Sequence, residues 1–260
     1  MNGVTIIRNE ADPRRFNPTA SLPYQLRLKD FELAMQDVYD FFYEVNVLLA
    51  SKGLQRLDDM LRPAIMSGLL SDMLTASIAK HSRTLVQNKY FNGHPDLLVQ
   101  GIYPNDSVRS GTEGVEVKTT RKVGGAVDTH GAREQLMCVF VYEIDGSTEP
   151  AVSRSPMKVT EIYLGRVTVD DFRRNPRGEL GTRTATLDRD GIAKLRQSWV
   201  YLLNPKTTSQ TPAWLIHSER SIVRLILADG GIAGGDPGTN KTCGSRGSPE
   251  PNRPAKRADR

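Results

Sequence analysis

The sequence predicts a single α/β domain, and three observations carry that expectation. Apolar residues recur at three- and four-residue steps from about Lys29 to Ser82. After Asn88 the period shortens to two, in short runs bounded by glycine, proline and asparagine. No internal repeat is visible. The 260 residues, 38% apolar and 25% charged, supply ample material for a core.

Residues 1–23, with Pro13, Pro18 and Pro23, read as an irregular arm. Phe31, Leu33, Val38, Phe41, Phe42, Val45, Leu48 and Leu49 then trace a helix that Gly53 can stop. Its aromatic stripe, with Tyr39 and Tyr43, reads as packing or a dimer seam. A second helix runs from Leu57 or Pro63 to about Ser82, with Pro63 starting or kinking it. Asp96 to Tyr103 reads as a strand and Gly114 to Thr119 as its partner. Leu136–Ile144 and Val159–Val169 are two further strands. Asp188–Leu203 looks like a helix with an acidic first turn, and Ser221–Ala228 like a last strand or short helix. From Asp229 glycine, proline and charge dominate, so residues 24–228 form the ordered domain and 229–260 a disordered basic tail.

Several function classes are excluded on composition. No apolar run is long enough to cross a bilayer, and no charged and then apolar leader opens the chain. Cys138 and Cys243 are too few for a disulfide framework and too far apart for a zinc knuckle, and Cys138 falls inside an apolar strand. His81, His94, His130 and His217 show no ligand spacing. No phosphate-cradling glycine loop occurs. A reducing cytoplasm and the absence of any membrane partner are the expectation. The net charge of +5 agrees with a polyanionic partner without requiring one.

The informative residues lie on the hairpin. Residues two apart on a strand share a face, so Glu116 and Lys118 project together while Val115 and Val117 face an apolar side. If the strands pair, Asp96 converges on Glu116 with the Lys118 ammonium beside them. Two carboxylates suit Mg²⁺, with Mn²⁺ as a substitute; the ion would polarise a phosphoryl group and acidify a bound water. Lys118 could stabilise charge developing on phosphorus, or orient and help deprotonate the attacking water. A lysine near a dication has a lowered pKa, which favours the second role.

Pro95-Asp96 followed by Glu116-Val117-Lys118, in the context GHPDLLVQGIY…GVEVKTT, resembles the PD-(D/E)XK superfamily of restriction-endonuclease-like nucleases. The resemblance covers Ser67 to Asp145, about a third of the chain. It implies a mixed central β-sheet flanked by helices, preceded here by extra N-terminal helices. It also implies Mg²⁺-dependent hydrolysis of DNA, with Asp96 and Glu116 on the metal and Asp96, Glu116 and Lys118 catalytic. A type II restriction enzyme, a homodimer in a prokaryotic cytoplasm acting on double-stranded DNA, is the form the chain's size looks most like. A repair, recombination or transposon nuclease, or a non-catalytic nucleic-acid-binding module, are the alternatives.

Residue by residue, the same resemblance offers Asp72 on the preceding helix as a water-mediated metal contact, or else a surface carboxylate. It offers Gln135, ahead of Arg133 and His130, as the polar residue after the catalytic strand. His94, next to Pro95-Asp96, could touch a metal-bound water or be a structural turn residue. The chain departs from the family between Thr120 and Leu136, where a helix is usual. Here a short helix over Val127 to Gln135 is one reading. The other is a loop reaching for DNA, with Arg121, Lys122 and Arg133 on phosphates.

Overall fold

The computed structural model describes residues 6–122, 127–129, 131–174 and 184–204, with backbone alone at 128 and 174. The 205–260 stretch, with Ser221–Ala228 and the expected tail, lies outside the described residues, as do His130, His217 and Cys243.

Helix α1 (Leu28–Ser51) buries Phe31, Ala34, Met35, Val38, Tyr39 and Phe42; of the apolar positions expected to face the core, Phe31, Val38 and Phe42 do so, Leu33, Phe41, Val45 and Leu49 are half-buried and Leu48 is exposed. The Arg27 N–H donates to Asp30 Oδ2 at 2.8 Å to start it. Gly53, at φ +69°, ends it by donating its N–H to the Ala50 carbonyl at 3.0 Å. The second helical stretch is two elements, a single turn α2 (Leu57–Met60) and α3 (Pro63–His81). Pro63 opens α3 at a position where its missing N–H leaves no bond unmade.

Among the described residues nine strands follow: β1 (Leu85–Gln87), β2 (Leu97–Val99), β3 (Gly114–Thr120), β4 (Asp128–Thr129), β5 (Gln135–Glu143), β6 (Lys158–Val167), β7 (Phe172–Arg174), β8 (Ala185–Leu187) and, after helix α4 (Arg189–Gln197), β9 (Trp199–Leu202). The chain is therefore mixed α/β, with a six-stranded sheet of order β1-β2-β3-β5-β6-β9 and a three-stranded sheet β4-β8-β7. Within the large sheet β3 and β5 run parallel and the other neighbours antiparallel.

Strand alternation divides the core in two. Val115, Val117, Leu136, Cys138, Phe140 and Leu164 face α1 and α3. Met137, Val139, Val141 and Tyr163 face the other way, against Ala185 and Leu187 of β8 and Leu195 of α4. Two hydroxyls fasten α3 to β3: Ser71 Oγ donates to the Val117 carbonyl at 2.9 Å, and Thr119 Oγ1 to the Ser67 carbonyl at 2.7 Å. No helix among the described residues is long and apolar enough to cross a membrane.

Three expectations change. The helix expected over Asp188–Leu203 stops at Gln197, and Trp199–Leu202 is instead an edge strand on β6. There Val200, Tyr201 and Leu202 are all about 1% exposed, so burial and ladder pairing override the apparent periodicity. The strand expected from Asp96 to Tyr103 covers only Leu97–Val99, because Gly101, at φ +79°, turns the chain away. The helix considered over Val127–Gln135 is absent from the described residues there, which hold β4, an irregular stretch and the start of β5. Strand β1 and the small sheet had no legible signal, at two or three residues per strand.

Candidate active site

The site grows from the junction of β2 and β3. Asp96 immediately precedes β2, whose Leu97 pairs with Val115 on β3. The close fit depends on Gly114, at φ +153°, where a Cβ would lie 2.0 Å from the Leu97 carbonyl oxygen and 2.7 Å from Pro95 Cγ. With β2 that close, the Val117 N–H donates to Asp96 Oδ2 at 2.8 Å. Val115 and Val117 sink into the helix-side core, and Glu116 and Lys118 project from the opposite face, as alternation predicts.

The expected convergence is present. Lys118 Nζ lies 2.5 Å from Glu116 Oε1 and 3.7 Å from Asp96 Oδ2. The imidazole of His94 meets Glu116 Oε2 through Nδ1 at 2.7 Å. Because a carboxylate only accepts, Nδ1 carries the donated proton. His94 thus contacts the site directly.

The four groups perturb one another. Burial, and then the neighbouring Glu116 charge, raise the Asp96 carboxyl to about 6. Burial pushes Glu116 the same way, but the His94 hydrogen bond and the Lys118 charge together outweigh it and hold its carboxyl at about 2. Burial works to lower the Lys118 ammonium; Glu116 and Asp96 overcome this and raise it. With these neighbours Lys118 is a cation, which suits charge stabilisation better than proton abstraction.

These side chains line a cleft of about 920 Å³, shared with Asn92, Arg109, Thr129, Arg133 and Gln135. Gln135 is 5% exposed, and its Nε2 is a buried donor with no hydrogen-bond partner among the described residues. An orphaned amide in the cleft wall is the kind of group that a bound ligand satisfies. Among the described residues no set of three or more His, Cys, Asp or Glu is arranged to hold a metal. Asp96 and Glu116 nevertheless fit a hard dication as a donor pair. They supply two carboxylates in one cleft, and the burial and Glu116 charge that together raise Asp96 are what a dication would offset.

The remaining sequence-predicted residues separate. Gln135 and Arg133 are in the cleft. Arg121 and Lys122 are exposed beyond the end of β3, and Arg121 borders a different hollow of about 380 Å³, beside Asp145 and Lys158. Asp72 is exposed on α3 and does not line the cleft; its neighbour Ser71 is the residue that touches β3. Sequence reasoning missed Asn92 and Arg109, which sit in turns and bends, and Thr129, on the two-residue β4, where no periodicity marks a direction.

Comparison with family models, with curated proteins and with solved structures gave no match.

Proposed function

We propose that this chain is a metal-dependent endonuclease that hydrolyses DNA phosphodiester bonds, on a restriction-endonuclease-like core. The observation that carries the reading is the meeting of Lys118 with Asp96 and Glu116 at the wall of an open cleft. Asp96 and Glu116 would hold Mg²⁺ or Mn²⁺, which when bound polarises the phosphoryl group and lowers the pKa of a coordinated water. Lys118, cationic in this setting, stabilises the negative charge that builds on the nonbridging oxygens. Gln135 offers an unused N–H to the substrate, and Arg133 a positive charge within the same cleft. His94 holds one oxygen of Glu116, fixing the carboxylate's orientation. Within this chemistry the reading favours a type II restriction enzyme acting as a homodimer on double-stranded DNA.

The test is a plasmid-cleavage time course in Mg²⁺ and in EDTA, paired with binding titrations in Ca²⁺. Lys118→Ala should cut slower by about a hundredfold or more while binding DNA nearly as before, since one phosphate contact among many contributes modestly. Near-normal cleavage by the folded variant would remove Glu116-Val117-Lys118 from the chemistry. DNA binding without cleavage by the unmodified protein would point to a non-catalytic module. Discrete fragments would separate a restriction enzyme from a repair, recombination or transposon nuclease.

A further inference from the structure

The turn joining β1 to β2 borders the candidate site and carries an aromatic ring that the fold does not use. Phe91 is 87% exposed and Tyr90 before it 44%. A lone exposed apolar residue is ordinary on a protein surface. What sets Phe91 apart is the backbone beneath it. Asn88 Nδ2 donates to the carbonyls of Pro95 at 3.0 Å and Val108 at 2.8 Å. Its Oδ1 accepts the N–H groups of Tyr90 at 3.0 Å and Val108 at 3.1 Å. The Gly93 N–H closes the turn on the Tyr90 carbonyl at 2.8 Å, and the Lys89 N–H ties it to the Asp106 carbonyl at 3.0 Å. Gly93 sits so tightly on Asn88 that a Cβ there would lie 2.4 Å from Asn88 Nδ2. A well-bonded turn thus holds the ring in water.

Directly after Phe91 the chain becomes the cleft wall, through Asn92, Gly93 and His94. The His94 N–H donates to the Arg109 carbonyl at 3.1 Å, which brings Arg109 alongside. Arg109 is exposed, lines the same cleft and has no ion-pair partner among the described residues. An exposed aromatic ring next in sequence to the cleft wall, with the Asn92 amide and the Arg109 guanidinium lining it, offers a partner for each of the three parts of a nucleotide: the base's π-face, its edge and its phosphate.

We propose that Phe91 stacks on a nucleobase of the DNA strand in the cleft while Arg109 takes an adjoining phosphate. The β1–β2 turn then grips one nucleotide beside the bond to be cut. This rests on the nuclease reading and adds to it a residue that selects an unstacked base. The experiment uses the full chain, with fluorescein-labelled single-stranded and duplex oligonucleotides titrated in Ca²⁺ and followed by anisotropy. Phe91→Ala should melt as the unmodified protein does, because the ring supports no core, yet bind about tenfold or more weakly, the weight of one lost base stack. Phe91→Trp should keep its affinity, and its added indole emission, read against the background of Trp199 and Trp214, should be quenched on binding. Folded Phe91→Ala binding within about twofold of the unmodified protein, or an unquenched Phe91→Trp, would overturn the stacking. If Lys118→Ala loses cleavage while Phe91→Ala binds normally, the nuclease reading stands and this inference falls. An unmodified protein that neither binds nor cuts DNA overturns both.

Discussion

Asp58, under the short helix α2, and Asp96, at the head of β2, are both carboxylates largely withdrawn from water, yet their surroundings oppose each other. Asp58 is fully buried and surrounded by donors: Asn46 Nδ2 at 3.1 Å, the Met157 N–H at 2.9 Å and the Arg56 guanidinium at 3.4 Å. Asn46 in turn accepts the Leu57 N–H at 2.7 Å, so the cluster clamps α1, α2 and the start of β6 together. Asp96 accepts one backbone N–H, shares Lys118 with Glu116 and faces open space in the cleft. A buried acid saturated by donors stabilises the fold. One set beside a second acid, with lone pairs left over, is arranged for a ligand.

The largest expected effect comes from breaking the saturated cluster. Asp58→Ala leaves the Met157 N–H and the Asn46 amide without their acceptor in the core, while Arg56 keeps Asp59 at 3.3 Å, and should destabilise the fold by about 2–4 kcal/mol. Chemical denaturation measures it, and a loss below about 1 kcal/mol would show that water or Asp59 takes over the role.

Asp96→Asn should act in the opposite direction. The folded protein holds the Asp96 proton to about pH 6, against an ordinary value of 3.8, so folding takes up protons across that window. The stability this group contributes is full below about pH 4 and is lost as pH rises through about 6. Glu116, held at about 2 from an ordinary 4.5, works in the reverse sense at lower pH and is common to both proteins. The asparagine can still accept the Val117 N–H. Allowing for the 30% exposure of the Asp96 side chain, the variant should be more stable than the parent by about 1–2 kcal/mol at pH 7. The two should converge near pH 4, and denaturation at both pH values reads the difference. An equal loss of stability at both would return Asp96 to the structural class of Asp58.

The smallest effect sharpens the boundary between the regions. Ser71→Ala removes one hydroxyl bond from α3 to the Val117 carbonyl and should cost about 0.5–1.5 kcal/mol, measured by thermal melting. Cleavage should fall little, because Val117 also stays anchored through its buried side chain and its β5 neighbour Cys138.

The directions of the charged side chains were more legible in the sequence than the walls around them. Period-two alternation told which way Glu116 and Lys118 point, because a strand's geometry leaves one choice. The Phe31 to Phe42 stripe told which face α1 buries for the same reason. Arg109 and Asn92 were illegible because turn residues reach their positions through hydrogen bonds made elsewhere, such as those of Asn88, and Thr129 because β4, at two residues, is too short to show a period. Trp199–Leu202 misled because a short apolar run after a helix continues its pattern equally well, and only the β6 edge decides its conformation.

His94, Asp96, Glu116 and Lys118 fall within 25 residues of chain, positions 94 to 118, and meet across an antiparallel pairing. The rest of the cleft wall, Thr129, Arg133 and Gln135, waits on the parallel alignment of β5 with β3 and on the small sheet. Local pairings form at low loop-closure entropy, whereas crossovers and distant strands form late. The charge cluster is therefore a short-range product of the chain, and the cleft around it a long-range one. The Lys118 ammonium, two residues from Glu116 on the same strand, is thus a counter-ion that the short-range cluster carries with it, independent of the wall.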